Sequence, residues 1–386
     1  MGQSFPGALA AVALPAIFRQ SGMPLELFWV FALPLIPGWM RWLIAIVVDN
    51  QGSAKFGYRK SWIVPCTLLG ASLYMVLAWV EPLPANIVLI VGILTLKSTI
   101  MTAQDVAIDG LAVESVNEVE RPLGSSIIVF LMFMGTVAAQ GMVAGVEWVG
   151  WQTMMMAAAT LLILAALPSS LRKEPAPPAA AIARRRSGRS ASIFEFLGRK
   201  ESRYIIPTLF FLGFSSNFMR AMLPVFLVDN GMSLADIGIV FAIAVVLGAG
   251  IAAVGVPTVS RRYGVPRVAG VLAIGYVPCA MSFYALARQE WALLPICLIL
   301  TYVMFVSTAV WILVMEARLS WASQHQAATD FSAQSSCANL GDWLGASIAG
   351  FAAAGLGWAW FFHIGWALSA VALVAFVMCL RGVERC

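Results

Sequence analysis

Long apolar stretches broken by short polar turns run the length of the chain. Twelve of them reach or approach the ~20 residues that span hydrocarbon as a helix: 2–18, 25–48, 61–80, 86–112, 124–146, 150–171, 204–227, 237–259, 268–287, 291–318, 329–354 and 358–380. Within each, apolar residues are continuous rather than alternating, which predicts helices and not an outer-membrane barrel. The fold expected is all-α and membrane-embedded, with twelve transmembrane helices in two pseudo-symmetric six-helix bundles.

The symmetry is read from a repeat. Leu14-Pro15…Gly22-Met23…Leu25 recurs as Leu223-Pro224…Gly231-Met232…Leu234, five matches at one offset. Each copy closes one apolar stretch and opens the next. Paired halves of this kind are a signature of carriers that rock around a central site. The expected division is an N-terminal bundle over 1–171, a basic linker over 172–203 and a C-terminal bundle over 204–386. The linker holds Pro175, Pro177, Pro178 and Arg184-Arg185-Arg186, then a short amphipathic run (Ile193, Phe194, Phe196, Leu197) expected at the membrane surface.

Composition fits this reading. At 61% hydrophobic and 11% charged residues, a soluble surface cannot be built, so the lipid bilayer is the first partner. Suppose both termini are cytoplasmic. Inner loops and tail, with Arg318 counted among them, then hold 19 of the 24 Lys and Arg, and outer loops hold only Arg19 and Arg288. This is the positive-inside bias of a multi-pass protein of the cytoplasmic (inner) membrane. It accounts for the net charge of +5 without nucleic acid. No basic residue precedes Arg19, so no secretory leader is expected. The six cysteines form no CxxC pair and the two histidines are far apart, so neither a disulfide framework, a metal site nor a cofactor is expected. A Gly-x-x-x-x-Gly-Lys-Ser/Thr loop is absent, which argues against ATP hydrolysis.

Candidate chemistry lies in the polar residues inside the apolar stretches. Arg41, Lys97 and Arg220 each sit where an ionised side chain costs roughly 2.5–3.5 kcal/mol. The fourth stretch is the richest, with Lys97, Ser98, Thr102, Gln104, Asp105 and Asp109. Ser98, Thr102, Asp105 and Asp109 step by four, three and four, and so share a face. One of two carboxylates a turn apart in low dielectric can hold a proton near neutral pH, which makes Asp105 and Asp109 the proton-coupling candidates. Asp109 near the inner interface would instead be a hydrated structural charge. Arg41 and Asp105 each lie roughly 10 Å from the inner ends of their helices, which predicts an ion pair. Ser332, Ser335, Asn339 and Asp342 form a second stripe, and Arg220 is expected close to Asp342 or joined to it through water or solute. The candidate cavity set is Arg41, Lys97, Gln104, Asn217, Arg220, Asn339 and Asp342. Trp39, Trp311 and Trp343 are candidates to stack on a ring, while Trp358, Trp360 and Trp366 read as interface anchors. Pro34, Pro37 and Gly38 interrupt the second stretch, and Gly248, Gly250 and Gly255 punctuate the eighth. Stretches three, six, nine and twelve are expected to face lipid.

Asp49-Asn50…Phe56-Gly57-Tyr58-Arg59-Lys60-Ser61-Trp62 resembles the cytoplasmic loop signature of the major facilitator superfamily. Gln104-Asp105-Val106-Ala107-Ile108-Asp109-Gly110 with Glu120-Arg121 resembles the branch of AmpG-like muropeptide permeases, acetyl-coenzyme A transporters and rhizobactin- and pyochelin-type siderophore permeases. Arg41-Trp42-Leu43, Gly231-Met232-Ser233-Leu234-Ala235-Asp236-Ile237-Gly238 and Ala328-Thr329-Asp330-Phe331 extend the likeness over nearly the whole chain. Ile46 and Asn50 depart from the branch, and Lys97 belongs to no pattern of it. The resemblance implies a monomeric secondary transporter. It implies proton-coupled uptake of a fairly large organic solute such as a siderophore, with a muropeptide or acyl-coenzyme A as the alternative. It assigns Asp49, Gly57, Arg59 and Lys60 to a conformational loop. A membrane-embedded enzyme would need a nucleophile or base with neighbours, and His363 has none at useful spacing. A sensor that kept a carrier fold would share the same pattern.

Overall fold

The computed structural model describes residues 12–53, 56–115, 121–171, 193–288, 292–321 and 327–383. The start of the first predicted stretch and most of the 172–203 linker lie outside the described residues. Within them the chain is helical throughout, apart from turns and one isolated bridge between Ser53 and Gly57.

The helices are α1 Leu14–Gln20; α2, in three pieces, Leu25–Leu35, Ile36–Trp39 and Arg41–Asn50; α3 Lys60–Ala78; α4 Ile87–Ser115; α5 Arg121–Val149; and α6 Trp151–Leu171. After the short helix Ile193–Leu197 come α7, as Ser202–Arg220 and Leu223–Asp229; α8, as Leu234–Ala244, a π turn Val245–Ala249 and Gly250–Tyr263; α9 Val265–Leu286; and α10 Leu293–Trp321. The run Ala327–Val383 is two helices, α11 (327–356) and α12 (358–383), parted at Gly357. Each of the twelve predicted stretches thus has a helical counterpart among the described residues. The departures are local. The segment Leu25–Leu35 of α2 is 3₁₀ rather than α, with Pro34 inside it. The α7 rod breaks at Ala221–Met222, just before Pro224, and α10 continues past Arg318 to Trp321.

The internal repeat is a repeat of structure. Pro15 and Pro224 each sit in the first turn of their helix, where a missing N–H leaves no bond unmade. In the first copy, Ser21, Gly22 and Met23 donate their N–H groups to Ile17, Arg19 and Phe18. In the second, Asn230, Gly231 and Met232 donate to Phe226, Val228 and Leu227, the equivalent carbonyls. Gly22 and Gly231 have φ of 80° and 78°, a left-handed conformation that side chains avoid. Antiparallel succession then puts the turns at Gly22, Gly150, Gly231 and Gly357 at one end of the bundle, and those at Gly57 and Gly264 at the other.

In the first half α3 packs on α4 and α6, and α2 packs on α4. In the second, α7 packs on the α11–α12 run, α9 on the same run, and α8 on α10. Between the halves α1 meets α7, α2 meets α11, and α5 meets α8. Lipid gives helices no hydrophobic reason to associate, so close backbone approach has to supply the attraction. Glycines permit it. A Cβ on Gly213 would collide with the carbonyl of Ala338, and one on Gly341 with that of Phe210. The same device serves between the halves, where Gly238 of α8 rides against Gln140 and Ala144 of α5. Large apolar residues are exposed on α3 (Leu68, Met75), α6 (Leu164), α9 (Ile274) and α12 (Val371, Met378), as a lipid-facing role requires; α8 does the same at Val254.

Candidate functional site

The 3₁₀-to-α break in α2 delivers Arg41 at the start of its last piece, beneath Pro34, Pro37 and Gly38. Its Nη1 donates to Oδ2 of Asp105 on α4, the ion pair expected from their matched depth. The two side chains are 18% and 30% exposed, so the pair is solvated rather than sealed. Beside it the halves touch. Asn339 of α11 donates from Nδ2 to the Gly38 carbonyl at 2.9 Å. Trp39, next to Gly38, and Trp343, one turn beyond Asn339, both bury an indole N–H that meets no acceptor among the described residues.

On the facing side, Asn217 of α7 donates to the backbone carbonyl of Asp342 at 3.1 Å and accepts from Nε of Arg220 at 3.2 Å. Arg220 and Asp342 are therefore linked through Asn217. No direct ion pair joins them, because the link reaches the Asp342 backbone and not its carboxylate. Asp342 is half-buried, Arg220 is exposed, and the fields of Arg220 and Arg318 both reach the Asp342 carboxyl.

Arg318, expected with the inner-loop cations at the end of an apolar run, lies inside α10, which carries on to Trp321, and it is only 8% exposed. Its Nη2 donates to Ser335 Oγ and to the Phe331 carbonyl, and its guanidinium lies 4.3 Å over the Phe331 ring. It thus joins the Ser335, Asn339 and Asp342 stripe.

Lys97 and Gln104 leave the expected set. On α4 they lie with Met101 about 100° round from the Asp105 face and zip against α3. Lys97 Nζ donates to Tyr74 Oη at 3.0 Å and stacks 5.1 Å over that ring. Met101 meets Gly70, and Gln104 donates to Thr67. Both are buried, Lys97 to 6% exposure. Their amphipathic stems and hydrogen bonds satisfy a helix–helix seam, and sequence spacing alone does not say which neighbour a face will meet. The side chains of Asp109 and Asp49 lie outside the described residues. In the loop, Gly57 adopts φ 97°, Arg59 is buried, and Lys60 donates to the Ser170 carbonyl at the end of α6.

The end at Gly22 and Gly231 is bridged by groups from both halves. Arg19 donates to both Asp229 oxygens, at 2.5 and 2.8 Å, and Trp358 Nε1 donates to Asp229 Oδ2 at 2.9 Å. Trp358 is therefore a strut of this contact, and Trp366 is buried in the core instead of standing at an interface. Nearby, Glu147 at the end of α5 accepts from the Ala235 N–H at 2.7 Å, at the start of α8. At the opposite end, Arg199 makes a two-pronged pair with Asp330, which is 0% exposed. Phe196 of the short helix is buried with Ile205, Leu209 and Cys379, so this helix docks on protein through Phe196 while Phe194 stays exposed.

A helical membrane fold with a charged, solvated meeting point between two repeated halves is the plan of a solute carrier. Among solved structures, a point mutant of the nucleoside transporter NupG aligns over 97% of this chain and 96% of its own, with TM-score 0.74 at 15% identity. Another structure of the nucleoside transporter NupG covers 98% and 96%, with TM-score 0.70 at 13% identity. A sequence profile of the Major Facilitator Superfamily matches residues 2–341. The chain belongs to the Major Facilitator Superfamily.

Proposed function

We propose that the protein takes up a small organic solute across the cytoplasmic membrane as a monomeric, proton-coupled secondary transporter. The observation that carries this is the solvated Arg41–Asp105 pair beside the Asn339–Gly38 contact between the halves. Protonating Asp105 would remove the charge that holds Arg41, freeing Arg41 to meet solute, and would loosen a side chain next to the inter-half contact. A proton is thereby tied to the rocking step. Asn339 shares its face of α11 with Ser335, which binds Arg318, and with Asp342. With both termini and the basic 172–203 linker cytoplasmic, the Arg19–Asp229 pair lies at the outer end. Residues 1–171 and 204–386 are then the two moving bodies.

The branch resemblance supports a siderophore, muropeptide or acyl-coenzyme A as cargo. The NupG matches, at 15% and 13% identity, speak for the fold. Counterflow in proteoliposomes tests the reading. The wild type should exchange labelled solute and accumulate it under an inward proton gradient. Asp105→Asn should keep exchange and lose accumulation. Accumulation by Asp105→Asn as steep as the wild type's would remove proton coupling through this residue. Failure of the wild type to exchange any solute would remove transport.

A further inference from the structure

Each cation of the site has a different settlement. Arg41 has Asp105. Arg220 has only the neutral oxygen of Asn217, and it is exposed to water. Arg318 is more than nine-tenths buried, yet no carboxylate lies within 4 Å of it among the described residues. Of its five N–H groups, those on Nη2 serve Ser335 and Phe331. The group on Nε is buried and has no acceptor, and Nη1 makes no hydrogen bond among the described residues. A buried guanidinium without a counter-ion is costly unless something supplies the missing charge. The Phe331 ring supplies part of it through its electron-rich face, and the Asp342 carboxylate, beyond ion-pair distance, supplies another part.

Placement makes this more than an internal oddity. Ser335 holds Arg318 against the face of α11 that carries Asn339 and Asp342, and Asn339 bonds the Gly38 carbonyl three residues before Arg41. Arg318 and Arg41 thus stand near this contact, one from each half, and of the two only Arg41 has a carboxylate within 4 Å among the described residues. Arg is the side chain best shaped to take an oxyanion with paired N–H groups.

We propose that Arg318 is the anion anchor of the transport site, and that the solute carries a carboxylate or phosphate that docks on its unpartnered N–H groups. This rests on the reading of the site as a transport site. An oxyanion held there neutralises Arg318 and lies within the field of Arg41, so binding draws the halves together around it.

The test uses the full-length protein in detergent and in proteoliposomes. Citrate, inorganic phosphate and uridine serve as polycarboxylate, phosphate and neutral probes, with thermal unfolding as the binding readout. Wild type should be stabilised by citrate or phosphate in a saturable way and not by uridine. Whichever of the two is effective separates the carboxylate from the phosphate. Arg318→Gln should weaken that effect by roughly tenfold or more, and Arg318→Lys should restore part of it. If Arg318→Gln does not fold, Arg318→Lys carries the comparison and should be stabilised more weakly than the wild type. Stabilisation by the anions equal to the wild type's in Arg318→Gln, or in Arg318→Lys where it stands in, overturns the proposal, and so does none in the wild type. So does counterflow of uridine at equal rates in wild type and Arg318→Gln, although that result leaves transport standing. Anion binding lost in Arg318→Gln, with no counterflow of any solute by the wild type, would keep the anchor and sink transport.

Discussion

Arg19 closes the first copy of the internal repeat and Asp229 closes the second, and the two side chains grip each other with paired hydrogen bonds. The turns that the repeat makes alike thus touch across the halves at this end. Trp358 adds a third partner from α12. A partly exposed pair of this kind contributes about 1 kcal/mol, enough to change a two-state ratio several-fold. Asp229→Asn should shift the protein toward a form open at this end, and Arg19→Asp with Asp229→Arg should shift it part of the way back. Spin labels at the exposed positions Leu83 and Leu293 report the change as a longer distance. An unchanged distance distribution in Asp229→Asn would mean that the pair locks nothing.

Gly341 is a point of backbone contact between α11 and α7, where a Cβ would overlap the Phe210 carbonyl. Gly341→Val should lower the melting temperature of the solubilised protein by an amount equivalent to about 1–3 kcal/mol or more. Gly92 on α4 has nothing within 4 Å of its added Cβ. Gly92→Ala should leave stability level or raise it by up to ~1 kcal/mol, through helix propensity.

Lys97 lies under Tyr74 on the α3 side of α4. Lys97→Met should hold solute affinity within about twofold, because replacing a buried charge with an apolar isostere is often neutral or stabilising. A large rise in KM without loss of fold would return Lys97 to the transport site.

Arg199 and Asp330 form the pair at the opposite end, with Asp330 fully buried. Arg199→Ala leaves that carboxylate without its two-pronged partner and should cost about 3–5 kcal/mol. Adding Asp330→Ala should recover much of the loss. A single and a double variant that melt together would show that the pair contributes little.

The halves were legible because hydrophobic length and a five-residue match are linear properties. The same holds for the Arg41–Asp105 pair, whose equal depths follow from helical rise once the stretches are placed. The face of α4 was only half legible. The 3.6-residue period separates Lys97 and Gln104 from Asp105, but it does not say that one face meets α3 and the other meets α2. Arg318 was invisible as a site residue because the end of an apolar run looks the same whether the chain leaves the membrane or the helix continues under cover of α11.

The sequence by itself determined the membrane solvent, the helical segments, their repetition and the matched depths of Arg41 and Asp105, since these follow from apolar run length, the five-residue match and a fixed rise per residue. Tertiary structure alone decided which charges meet, because rotation of each helix about its axis is set by where glycines such as Gly213, Gly238 and Gly341 let backbones touch. That rotation set Lys97 against Tyr74 and Arg318 against Ser335 and Phe331.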